Sequence, residues 1–174
     1  MYNSKLSNKV RVVLNLKKAE NCPEKHVEFY SNYAAAISET LKKPLFQKFL
    51  DWLIKKEEIK KADVTDIQVR VFPYQKQNGK YIAGRCNSKG VIRIFPRKQV
   101  FLKKKLQKHK KEKLRFYLKS RAMAALIHEI LHVKYEGDEQ QVRSLTRKYF
   151  GIFIRHQNVQ TQHAKNVQNI LFSC

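Results

Sequence analysis

The nine residues from Ala125 to Val133 (ALIHEILHV) constrain this chain more than any other stretch. They set His128 and His132 four apart among the apolar residues Ile127, Ile130, Leu131 and Val133. At 3.6 residues per turn, a spacing of four leaves about 40° of net rotation, so both imidazoles leave one face of a helix, one turn apart. The apolar neighbours predict a buried helix, in which two unpartnered imidazoles and a carboxylate would be costly. Convergence of two neutral imidazoles on one metal ion removes that cost. Glu129 adjoins the metal face without sharing it, which suits a carboxylate that takes a proton from the metal's water instead of ligating. The plainer reading is an amphipathic helix whose histidines fall four apart by chance. With six His and ten Glu in the chain, shuffling would produce His-Glu-x-x-His about once in a hundred trials.

A chain of 174 residues with 43% hydrophobic residues can build one domain with its own core, and residues 1–174 are read as one domain. Charge is the unusual quantity. Lys and Arg number 37 against 14 Asp and Glu, a formal net charge of +23. Such a balance attracts polyanions, so nucleic acid, an anionic surface or an acidic protein become plausible partners. Cys22, Cys86 and Cys174 are odd in number and widely spaced, which argues against a disulfide framework or a cysteine-based zinc finger. No signal-like segment and no run near the roughly 20 apolar residues of a membrane span is present, so a cytoplasmic protein with no membrane partner is expected.

The fold expected is α+β: an antiparallel sheet of three to four strands packed on helices, with the His-Glu-x-x-His helix followed by a C-terminal helix. Residues 1–62 supply a strand and helices. Lys9 to Leu16 alternates, with Val10, Val12, Leu14 and Leu16 on one side, as a strand does. Val27, Tyr30, Ala34, Ile37 and Leu41 mark a helix running from Pro23 to about residue 41, and Pro44 opens a second one whose aromatics are read as core instead of base-stacking surface. Residues 64–150 carry the sheet and the site. Val64 to Val71, Tyr81 to Arg85 and Val91 to Phe95 read as three strands of a meander, joined at Gln77-Asn78-Gly79-Lys80 and Asn87-Ser88-Lys89-Gly90. An edge of that sheet could take an extended peptide as an added strand.

Residues 98–121 hold Lys103, Lys104, Lys105, Lys108, Lys110 and Lys111 among other bases, against the single acid Glu112. A solvated helix face is the simpler reading and a polyanion site the sharper one. A helix break is expected between Gln107 and Lys113, because one helix from 98 to 134 would be long for a compact domain. Gly137 is expected to end the site helix and Asp138 to cap the next, with Gln141 completing a capping-box-like pattern. Residues 155–174 form a polar, Gln/Asn-rich tail without an assigned structure.

A catalytic zinc site normally takes three protein ligands, so two histidines leave one to find. Glu139 is favoured because it begins the helix after the Gly137 turn and could fold back on the site. Asp138 is the alternative, with Glu136, His156, His163 and Cys174 behind it.

His128-Glu129-Ile-Leu-His132 resembles the motif of the zincin metallopeptidases. The order Gly84-Arg85-Cys86, Val91-Ile-Arg-Ile-Phe-Pro96 and then the motif helix is similar to SprT-like peptidases and minigluzincins, over about residues 64 to 150. The resemblance implies zinc (Zn2+) held by His128 and His132, Glu129 as general base, and the last strands lining a cleft for a protein or peptide substrate. Tyr135 stands where metzincins have glycine, although Asp138 falls at their third-ligand position. No His-Gly follows His132 as in SprT-like chains, and Glu139 fits the gluzincin pattern.

The function expected is therefore a zinc-dependent metallopeptidase, with Tyr135, Tyr149 or an arginine as oxyanion donor. It could work near nucleic acid through its basic surface, or be held latent by its tail and the Cys174 thiol. The alternative is a non-enzymatic nucleic-acid-binding domain with a structural metal.

Overall fold

A computed structural model describes residues 6–74, 79 and 81–157. The helices and strands they form give an α+β fold containing a four-stranded sheet. The strands are β1 (Val10–Val13), β2 (Asp66–Arg70), β3 (Gly84–Cys86) and β4 (Val91–Ile94), in the spatial order β1-β2-β4-β3. The antiparallel meander expected from the sequence is not what forms. β1 pairs with β2 in parallel and β2 with β4 in parallel, and only β3 and β4 are antiparallel. Alternation of side chains reports which residues face the core but not which strand lies alongside, and here β4 takes the place beside β2 that the meander gave to the Tyr81–Arg85 strand. Of the expected Asn-Gly hairpin, Gln77, Asn78 and Lys80 lie outside the described residues. The one tight hairpin described is at Asn87–Gly90. There the Asn87 side chain accepts from the Lys89 and Val91 N–H groups. Gly90 has φ +71, and a β-carbon on it would collide with the Asp63 carbonyl.

Helix α1 (Leu16–Glu20) is capped by Asn15, whose side chain accepts from the Lys18 N–H, so the first strand stops at Val13 and Leu16 is helical. Of the proposed apolar side of that strand only Val10 is buried, while Val12, Leu14 and Leu16 are exposed. Helices α2 (Glu24–Lys42) and α3 (Pro44–Lys56) begin at or just after Pro23 and Pro44, as expected. Tyr30, Ala34, Ile37 and Leu41 of α2 and Phe46, Leu50, Leu53 and Ile54 of α3 are buried, while Trp52 remains part-exposed.

The sheet directs Val10, Ile67, Val69, Ile92 and Ile94 into one continuous core. The long basic segment is broken as anticipated, into α4 (Gln99–Leu106) and α5 (Lys111–Tyr135). Helix α5 is buried on every side from Ser120 to Ile127, because β3, β4 and α2 pack against it, as does α6 (Glu139–His156). That full burial is why its motif segment is apolar all round. No helix among the described residues is long and apolar enough to cross a membrane.

Candidate metal centre

Helix α5 ends at Tyr135, and the chain reverses through Glu136 and Gly137. Glu136, and not Gly137, carries the positive φ, at +34. The turn aims the Glu136 carbonyl back at the helix, where it accepts from His132 Nδ1 at 2.6 Å. Asp138 then caps α6, its side chain accepting from the Gln141 N–H at 2.9 Å. Its carboxylate is thus spent on the helix end, and it does not join the histidines as the alternative third ligand would.

Glu139 does join them. His128, His132 and Glu139 each offer one donor atom, all within 4.8 Å of one another. The two Nε2 atoms are 3.1 Å apart, and Glu139 Oε2 lies 3.1 Å from His132 Nε2. Glu139 Oε1 is 3.6 Å from His128 Nε2 and also accepts from Arg143 Nε at 2.6 Å. Burial tends to raise the pKa of Glu139, but Arg143 and the two histidines outweigh it and keep the group ionised.

Hydrogen bonds on the far side of each ring fix the tautomers. The Glu136 carbonyl can only accept, so His132 carries its proton on Nδ1. Thr146 Oγ1 donates to the Val142 carbonyl at 2.7 Å, which leaves its lone pair to accept from His128 Nδ1 at 3.3 Å. Burial, foremost, and the neighbouring His132 lower the pKa of His128 against the pull of Glu139, so the ring is neutral. His128 Nε2 therefore presents a bare lone pair toward His132 Nε2 and the Glu139 carboxylate. The three donor atoms converge on one point, where a metal cation would take the place of any proton they share. Two imidazoles and a carboxylate are a donor set that zinc accepts.

Glu129 stands beside this cluster and is only 6% exposed. Burial pushes its carboxyl up to about 7, the nearby Glu139 adds to the rise, and the Cys86 backbone N–H and Arg85 oppose it. The Cys86 N–H is free for this because residues 83 and 87 bond to β4, through the Ala83 carbonyl and the Asn87 N–H, so those of 84 and 86 face away from it. Gly84 packs against the Glu129 side chain with no room for a β-carbon, a close approach that a glycine inside a strand often signals.

A cleft of about 1270 Å³ holds His128, Glu129, His132 and Glu139, with β3 along its rim. Tyr135 and Tyr149, expected as oxyanion donors, are elsewhere: both hydroxyls bond to the Glu57 carboxylate, and neither lines the cleft. Lys103, Lys104, Lys108, Lys110 and Lys111 are exposed, and Lys105 is half-buried against the Phe101 ring. They lie on α4, its link and the start of α5; Lys111 is about 25 Å of helix from His128. His156 is exposed at the end of α6, while His163, Cys174 and the rest of the proposed latency tail from residue 158 lie outside the described residues.

The alignment of Thr146, Arg143 and Gly84 with the histidines was not legible beforehand. Arg143 and Thr146 sit on α6 one and two turns beyond Glu139, and that spacing is the signal that could have found them. Comparison with protein-family profiles, with curated proteins and with solved structures finds no match to this chain.

Proposed function

We propose that the chain is a zinc-dependent peptidase, with His128, His132 and Glu139 as metal ligands and Glu129 as general base. The observation that carries this reading is the convergence of three metal-capable donor atoms beside a buried carboxylate that is not one of them. A purely structural metal site would have no use for Glu129 there. Zinc bound by such a set supplies Lewis acidity and lowers the pKa of coordinated water toward about 7.

The chain's own residues do the rest. Thr146 and the Glu136 carbonyl hold the two imidazoles with Nε2 facing the metal position. Arg143 orients Glu139. Glu129, with a pKa brought near neutrality by burial, accepts a proton from the attacking water and delivers it to the leaving amine. Apart from the Cys86 N–H, which bonds to Glu129, the outward backbone groups of β3 offer an extended peptide a strand to pair with.

The test is metal analysis of the purified protein together with cleavage of an unfolded protein such as casein. Wild type is expected to bind one zinc and to cleave. Glu129→Gln should keep the zinc and lose about 10²- to 10⁴-fold in rate. Unchanged turnover in that variant would sink the mechanism.

A second reading, a basic nucleic-acid-binding domain with a structural metal, is favoured by the exposed lysines between Lys103 and Lys111. Because they lie on α4, its link and the start of α5, away from the three proposed metal ligands, they suit tethering to nucleic acid as well as they suit the rival. Steeply salt-dependent DNA or RNA affinity without cleavage of any protein selects the rival.

A further inference from the structure

Arg121 is 6% exposed and lies on α5 seven residues before His128, on the same cleft-lining side. Its guanidinium donates to the Phe95 carbonyl at 2.7 Å and the Ile82 carbonyl at 3.3 Å. Arg97, two residues beyond Phe95, lines the same end of the cleft. Its guanidinium donates to Tyr117 Oη at 3.4 Å and lies over the Phe101 ring, and its backbone N–H donates to Tyr33 Oη. Tyr117 is one turn before Arg121 on α5, so the two guanidiniums are neighbours within one ring of tyrosines. Burial, foremost, and the charge of Arg97 lower the pKa of Arg121.

Among the described residues no carboxylate pairs with either arginine, and Arg97 Nε is buried with no hydrogen-bond partner. Two adjacent cations, Arg121 buried and Arg97 half-buried, are unfavourable without a counter-ion, and an unmet guanidinium N–H adds to the cost. A chain needing Arg121 only to tie β3 and β4 to α5 would gain by an acid at this spot. Both residues instead line the groove in which a substrate would lie.

We propose that Arg97 and Arg121 form a subsite for a carboxylate of the substrate peptide, two or three residues from the scissile bond. This rests on the peptidase reading above. Two independent rulers set the distance. Seven residues of helix separate Arg121 from His128 by about 10 Å, or three residues of extended chain. Ile82, whose carbonyl Arg121 holds, lies just before β3, two residues from Gly84, which packs against Glu129.

The carboxylate can be an acidic side chain or the peptide's own C-terminus, and the experiment separates them. Zinc-loaded protein is given quenched-fluorescent amidated peptides in which Glu or Gln is scanned through three positions on each side of the bond cut. A matching set ends in a free carboxylate at each downstream position. One position is expected to favour the carboxylate by about tenfold or more in kcat/KM, as a charge-assisted bond would give. Arg97→Gln should bring that ratio to near one, and Arg97→Glu should invert it in favour of Gln. Preference confined to the free-acid set assigns the site to the chain terminus. Ratios near one throughout in wild type, or a preference untouched by both Arg97 variants, overturn the subsite. If no peptide is cut, the peptidase reading fails by itself, and anisotropy with the same peptides then decides. Tighter binding of the acidic member that Arg97→Gln abolishes supports the subsite, and equal binding overturns it.

Discussion

A β-carbon on Gly84 would lie 2.8 Å from both Cγ and Oε1 of Glu129, closer than such atoms approach. The edge strand and the proposed base are therefore fitted to one another, and the fit leaves no room for a methyl group. Gly84→Ala is expected to push the Glu129 carboxylate off its place beside the Cys86 N–H while leaving the three donor atoms on α5 and α6 undisturbed. Zinc stoichiometry should stay at that of wild type and cleavage should fall by about 10²-fold, the cost of misplacing a catalytic group by an ångström. Equal loss of metal and activity would mean that the substitution disrupts the core instead.

The two tyrosines that proved remote from the cleft have a different task. Tyr135 from the end of α5 and Tyr149 from α6 both donate to Glu57 at the end of α3, joined by Lys134. Burial acts to raise the Glu57 pKa, but the two hydroxyls and the nearby lysines outweigh it and hold it below its ordinary 4.5. Because the folded value is the lower one, this stabilisation is complete above about pH 4.5 and is lost as pH falls through the folded value. Glu57→Gln should cost about 1–3 kcal/mol at pH 7 in urea denaturation. The gap between variant and wild type should narrow below pH 4.5. A gap that widens on acidification would contradict the assignment.

How much of this was legible follows from the kind of signal. Helical period and capping residues placed α2, α3, α5 and α6 close to where they are, and the spacing of His128, Glu129 and His132 gave the donor face directly. Strand neighbours were not legible, since Ile67 and Val69 alternate in the same way whether β3 or β4 lies beside them. The choice of Glu139 over Asp138 turned on a chain reversal at Glu136, a residue whose positive φ no local preference announces. Tyr135 and Tyr149 were misjudged because closeness in sequence to the motif says nothing about which side of α5 a ring occupies, and their partner Glu57 is 78 residues away in one case and 92 in the other.

Convergence of three donor atoms makes a thermal prediction. Zinc at about 100 times its Kd should stabilise the fold by about 2.7 kcal/mol, because the unfolded chain keeps no such cluster. For a chain of 174 residues that corresponds to a rise in Tm of about 5–10 °C, reversed by a chelator. His132→Ala should show neither the rise nor the reversal in calorimetry. A rise of the same size in that variant would place the metal elsewhere.

Thr146 tests the site from outside it. The side chain is buried, its hydroxyl proton is committed to the Val142 carbonyl, and its lone pair faces His128 Nδ1. It therefore selects the tautomer that leaves His128 Nε2 bare, although it touches no metal. Thr146→Val keeps the shape and removes the acceptor, leaving the Nδ1–H unpaired in a buried setting. Outer partners of this kind contribute about 10- to 100-fold to metal affinity. The variant should weaken zinc binding by that factor in chelator competition, and Thr146→Ser should recover most of it because the hydroxyl returns. Should Thr146→Val bind zinc as tightly as wild type, the ring is oriented by packing alone, and the hydrogen bond from Nδ1 has no part in preparing the site.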